Sequence, residues 1–126
     1  MAVKPRFKFS PGKTKYGKRH VPGVMNKTES EYADCLEARK RLGEILDWQF
    51  ECYTLKLADG TRFTPDFAIT FPNGTMHFID VKGGGPIDAK SVVKVKCAAE
   101  KFWMFEFFVD QKQAKKNGGG WKRICY

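Results

Sequence analysis

Apolar and polar residues alternate from Phe63 to Phe71 and again from Phe78 to Lys82, with Pro72-Asn73-Gly74 between the two runs. Period-two alternation marks a strand with one buried face, so this stretch predicts a β-hairpin. Phe63, Pro65, Phe67, Ile69 and Phe71 share one face of its first strand and Asp66 takes the other. In the second strand Asp80 and Lys82 share a face. The loop sets the register. A two-residue Asn-Gly loop would pair Asp66 with Val81 and put Asp66 and Asp80 on opposite faces. A three-residue loop, a type I turn with Gly74 in the left-handed position, pairs Phe71 with Thr75 instead. Counting back from that pair sets Asp66 opposite Asp80, with side-chain roots about 5 Å apart.

The rest of the chain supplies flanking elements. Thr28 to about Leu42 reads as a helix with an inward stripe of Tyr32, Cys35, Leu36, Arg39 and Leu42. Thr28 and Glu31 have the spacing of a capping box, and Gly43 ends the helix. Ile45 to Leu57 reads as one strand. Leu46, Trp48, Phe50 and Cys52 lie on one face, and the phase then switches to Tyr53, Leu55 and Leu57. That switch predicts a bulge or sharp bend near Cys52, with Glu51 beside it as either a group approaching the metal or, more commonly for such a position, a solvated strand glutamate. Asp59-Gly60 makes the next turn. After the hairpin, Gly83-Gly84-Gly85-Pro86 leads to Asp88, which caps a second helix reaching about Phe102. Val92, Val95, Ala99 and Phe102 form its core stripe, with Lys90, Lys94 and Lys101 on another face. Phe105 to Val109 is a further strand, and Trp121 to Tyr126 reads as either an edge strand or a docked tail. The order is α-β-β-β-α-β: an α/β (α+β) chain with a central mixed sheet flanked by helices.

At 126 residues the chain is of single-domain size, and eleven Phe and three Trp give its core bulk. No apolar run approaches the ~18 residues of a membrane span, and the N-terminus lacks a signal-peptide core. Cys35, Cys52, Cys97 and Cys125 are too dispersed for a local zinc motif and read as reduced thiols, so a cytoplasmic protein is expected.

Charge divides the chain further. The net charge is +9, yet residues 1–28 carry eight Lys/Arg and residues 111–126 carry five, both without an acid. All fourteen acids lie between them. The expected organisation is a basic N-terminal arm over 1–27, a body over 28–110 and a basic tail over 111–126. Such a layout suits a polyanion gripped by the arms while carboxylates in the body hold metal. The candidate DNA contacts are Lys4, Arg6, Lys8, Lys13, Lys15, Lys18 and Arg19 on the arm, with Lys90 and Lys94 on the second helix. Phe7, Phe9 and Tyr16 are interleaved with the arm's charges, as either base-stacking or packing groups. His20 is expected to be at most a phosphate contact. His77 points away from Asp80.

The chemistry centres on the hairpin. Two carboxylates opposite each other repel unless a cation lies between them. An all-oxygen site favours Mg²⁺ or Mn²⁺. Lys82 beside it can align an attacking water or stabilise charge on a phosphate.

Pro65-Asp66 followed by Asp80-Val81-Lys82 resembles the signature of the PD-(D/E)XK nuclease superfamily. Thr64-Pro65-Asp66-Phe67, Pro72-Asn73-Gly74 and acid-x-Lys-Gly are together similar to phage endonuclease I-type Holliday junction resolvases and related small phage proteins. The similarity spans about residues 28–109, with Asp80 standing where those resolvases carry Glu. It implies a restriction-endonuclease-like core, Mg²⁺-dependent hydrolysis of phosphodiester bonds in branched DNA, a homodimer, and the host cytoplasm if phage-encoded. It also implies metal-holding positions at Asp66, Asp80, Val81 and a helix-borne glutamate with apolar residues at +3 and +7, and a catalytic set of that glutamate, Asp66, Asp80 and Lys82. Glu29 fits that helix position, preceding Tyr32 and Leu36, while Glu31 stands second because the cap already occupies it. The alternatives are a less structure-selective nicking or recombination nuclease, or a catalytically idle nucleic-acid-binding module of the same fold.

Overall fold

The computed structural model describes residues 21–126. Helix α1 spans Lys27–Arg41 and strand β1 Asp47–Phe50. Strands β2 (Leu55–Ala58) and β3 (Thr61–Phe63) form a separate two-stranded ribbon. Then come β4 (Phe67–Thr70), β5 (Met76–Lys82), helix α2 (Ala89–Lys101), β6 (Glu106–Lys112) and β7 (Trp121–Ile124). The main sheet is mixed, in the order β1-β4-β5-β6-β7; only β5 and β6 run parallel, joined by the crossover through α2. The chain is thus a mixed α+β fold, with a five-stranded mixed sheet, a two-stranded ribbon and two α-helices.

The two sides of the sheet carry one helix each. Phe67, Ile69, Ile79 and Val81 face α1, where Tyr32, Ala33 and Leu36 pack against them. Ala68, Phe78, Phe107 and Val109 face α2, meeting Val95 and Ala98. These alternations are the period-two pattern read from the hairpin, now with both faces covered. Phe67, Ile69 and Ile79 are fully buried.

The hairpin has the three-residue loop. Phe71 N–H donates to Thr75 O at 2.9 Å, Gly74 N–H donates to Phe71 O at 2.9 Å, and Gly74 has φ of 88°. Register runs from Thr70 opposite Met76 to Phe67 opposite Ile79. One pair further out, Asp66 lies across from Asp80.

Elsewhere the structure corrects the sequence reading. Helix α1 begins before Thr28, with Asn26 as its cap: Asn26 Oδ1 accepts from Glu29 N at 2.8 Å, and Glu29 Oε1 accepts from Asn26 N at 2.9 Å. The capping glutamate is therefore Glu29, and Glu31 instead pairs with Lys112 of β6. Asn is at least as good a cap as Thr, and this start turns Glu29, Tyr32, Ala33 and Leu36 inward while Cys35 and Leu42 are exposed. The expected Ile45–Leu57 strand is two strands in different sheets, because the chain turns out of the main sheet after Phe50. Leu46 and Cys52, placed on its buried face, are exposed. The run 63–71 is also broken. Pro65 has no N–H to donate and separates β3 from β4, so Phe63 packs on the α2 side while Phe67 packs on the α1 side. Helix α2 is capped by Asp88 as expected, with Ala98 as well as Val95 at its buried centre.

The C-terminal segment is built into the sheet. β6 runs to Lys112 and β7 forms the edge, Trp121 meeting the Tyr32 ring edge-on at 5.0 Å. Beneath them Asp110, 4% exposed, accepts from Tyr32 Oη at 2.6 Å and from Arg123 Nε and Nη2 at 2.9 and 3.0 Å. Arg123 also lies 4.3 Å over the Phe108 ring. Burial and the Asp110 carboxylate push the Tyr32 phenol far above its ordinary range. A buried hydrogen bond to a charged group contributes about 1.5–3 kcal/mol. Tyr32→Phe should lower the unfolding free energy by about that amount in urea titrations; a loss below about 0.5 kcal/mol would show that the triad does not tie α1 to β6.

Candidate metal centre

Three segments converge at the open end of the β4–β5 hairpin. Asp66 lies between Pro65 and the first residue of β4, and its carboxylate Oδ2 accepts from Val81 N at 2.7 Å. Val81 N–H lies beyond the last β4–β5 pair, so the side chain takes over from the main-chain ladder. Asp66 O in turn accepts from Glu51 N at 2.8 Å. One residue thereby fixes both neighbouring strands.

Glu51 occupies the bend that the phase switch predicts. Its φ is 46°, the sole positive value at a non-glycine residue among those described. A non-glycine residue in such a sparsely populated region costs about 1–3 kcal/mol, and such strain collects at functional sites. The conformation aims its carboxylate inward, where Oε2 accepts from Gly23 N at 2.9 Å. Glu29 reaches the same place from the first turn of α1, 4% exposed and held by the capping box. Carboxylate oxygens of Glu29, Glu51 and Asp66 all lie within 4.8 Å of one another.

Asp80 adjoins this trio on the Asp66 side and is itself buried. It faces Lys82, whose Nζ is 3.2 Å from Asp80 Oδ2. Lys82 Nζ also donates to Ser91 Oγ at 3.0 Å, and Ser91 Oγ donates to Asp88 Oδ1 at 2.7 Å. The N-terminal turn of α2 thus steadies the lysine. His77 lies on the other face, 4.3 Å from the Phe71 ring and 5.3 Å from that of Phe108.

Burial pushes the Asp66 carboxyl up to about 9, reinforced by the Asp80 and Glu29 charges; the Val81 N–H opposes them. Carboxylates this close and this dry repel each other, and a hard divalent cation is the natural counter-charge. The donor set is all oxygen and fits Mg²⁺ or Mn²⁺. Glu29, Glu51 and Asp66 would hold such an ion, with Asp80 adjacent.

The expected residues Glu29, Asp66, Asp80, Val81 and Lys82 are gathered in one place. Glu51 joins them, the less common of the two outcomes its place beside the bend allows; Asp88 reads in the sequence only as a helix cap, and Ser91 carries no signal there. Lys90 and Lys94 lie on α2. Lys4, Arg6, Lys8, Lys13, Lys15, Lys18 and Arg19, with Phe7, Phe9, Tyr16 and His20, lie outside the described residues. Compared with protein-family models, curated proteins and solved structures, the chain matches none.

The raised Asp66 carboxyl gives a signed prediction. An unfolded Asp titrates near 4. Between there and about 9 the folded state retains a proton that the unfolded chain has lost, so metal-free stability falls as pH rises through this window. Asp66→Asn cannot ionise. In EDTA its melting temperature should exceed the wild type's by a margin that widens from pH 5 to pH 8, by about 5 °C or more. Mg²⁺ should raise the wild-type value at pH 8 and leave the variant little changed. Parallel pH curves for the two proteins would contradict the burial and repulsion assigned to Asp66.

Proposed function

We propose that this protein is a divalent-metal-dependent DNA endonuclease with a restriction-endonuclease-like core, acting on branched DNA as a Holliday junction resolvase does. The observation that carries the reading is the convergence of Glu29, Glu51 and Asp66 beside an Asp80–Lys82 pair, in a chain whose net charge is +9. An acidic pocket within a basic protein suits a substrate that is itself a polyanion. The resemblance of Pro65-Asp66 and Asp80-Val81-Lys82 to the PD-(D/E)XK signature supports the same chemistry.

When bound, a divalent cation would act as a Lewis acid on the phosphate. The remaining work falls to the chain. Lys82 carries three N–H donors, two of which face Asp80 and Ser91. The third is available to align an attacking water or to meet a non-bridging phosphate oxygen. Asp80 and Ser91 together limit its motion. Glu29 and Asp66, held by main-chain N–H groups, keep their oxygens in place without reorganisation during the reaction. The basic residues of the arm and of α2 would hold the flanking backbone, and two copies of the chain would present two such centres to a symmetric junction.

Cleavage of a four-way junction and of the matching linear duplex should need Mg²⁺ or Mn²⁺ and cease in EDTA. Asp66→Asn, Asp80→Asn, Glu29→Gln and Lys82→Ala should each reduce it by about a hundredfold or more, while DNA binding in EDTA persists. Preference for the junction would support a resolvase; equal cutting of both substrates would favour a nicking nuclease. Undiminished cleavage by Asp66→Asn would refute the site.

A further inference from the structure

A second feature adjoins the centre on its lysine side. The turn between β2 and β3 stands over the first two turns of α2, and the space between them is a groove of about 490 Å³. Its described walls include Thr61 and Arg62 from the ribbon and Lys90, Val93 and Lys94 from the helix. Three cations line it and, among the described residues, no carboxylate does. Asp88, the nearest acid on α2, is engaged in capping Ser91.

The groove and the site share the first turns of α2. Ser91, whose Oγ accepts from Lys82 Nζ, follows Lys90 directly and precedes Lys94 by three residues. Lys90 and Lys94 are one helical turn apart, so their side chains rise about 5–6 Å from each other on one face. Arg62 opposes them from the ribbon. Glycines at 83, 84 and 85 connect β5 to α2, and a Cβ added at any of them would meet nothing within 4 Å. These three residues carry no side chain beside Lys82.

We propose that this groove holds the DNA backbone next to the phosphate that Lys82 meets, with Arg62, Lys90 and Lys94 each neutralising a phosphate of the same strand. This rests on the nuclease reading and adds the path that the strand takes: along α2 and under the β2–β3 turn. It also explains why the ribbon departs from the main sheet. The bend at Glu51 that completes the acid cluster is the same bend that sends β2 and β3 over to α2, where Phe63 and Leu55 pack on the α2-side core. One backbone feature would then shape both the chemical centre and the strand's exit. Val93, 57% exposed between the two lysines, gives the floor an apolar surface for a sugar face.

The test is the salt dependence of binding by the full chain to a fluorescein-labelled four-way junction in EDTA, where no cleavage intervenes. Each lost phosphate contact lowers the slope of log affinity against log salt by about 0.9. Arg62→Ala/Lys90→Ala/Lys94→Ala should therefore reduce the slope by about two to three units, whereas Arg62→Lys/Lys90→Arg/Lys94→Arg should retain it. A wild-type slope in the alanine variant overturns the groove while leaving the nuclease reading intact. Equal loss in both variants overturns it too, since shape and not charge would then govern. A wild-type chain that binds no DNA overturns the nuclease reading itself, and the groove with it.

Discussion

The Asp66 carboxylate accepts the N–H of Val81 at a point where the β4–β5 ladder has run out of main-chain partners. Much else depends on that substitution of side chain for backbone. Pro65 cannot extend the ladder, so the chain is free to leave the sheet there, and Asp66 closes the gap it leaves. Its own carbonyl holds Glu51 N, which fixes the bend ending β1. The hairpin register sets Asp80 opposite, and Lys82 two residues on. If Asp66 were apolar, Val81 would lose a partner and the acids would lose the residue that touches both strands.

The helix contributes through a residue with two tasks. Glu29 completes the capping box with Asn26 and also projects into the acid group. Helix start and acid cluster are thereby coupled: a shift of α1 by one residue would unseat both. Farther along, Tyr32 and Asp110 tie the same helix to β6, with Arg123 supplied by β7. The C-terminal strand thus anchors the helix whose first turn bears Glu29.

Much of this was legible in the sequence. Hairpin register turned on one loop: the three-residue Pro-Asn-Gly reading sets the acids opposite each other, and the Phe71–Thr75 pair is the one observed. Asp66, Asp80 and Lys82 came from that counting, and α2 from Asp88 and its apolar stripe. Local pattern failed where a tertiary contact decided. Asn26 and Thr28 are both good caps with a glutamate three residues on, and the pairing of Glu31 with Lys112 of β6 leaves the box to Asn26 and Glu29. The alternation through 63–71 hides the break at Pro65, since both cores reward a buried aromatic. Nothing in the sequence singles out Asp110 and Arg123, because the Tyr32 that Asp110 meets lies 78 residues away. Glu51 was legible as a neighbour of a phase switch within reach of the metal, but a solvated strand glutamate is the commoner outcome there.

The central claim is that strands and helix meet to hold one divalent cation in a pocket of carboxylates. Isothermal titration of the metal-free chain with Mn²⁺ tests it directly, without DNA or turnover. One ion should bind per chain, and Glu51→Gln should weaken it by about tenfold or more, as should Glu29→Gln. A wild-type titration without binding heat or with many weak surface ions, or Glu51→Gln and Glu29→Gln proteins that bind Mn²⁺ as the wild type does, would contradict it.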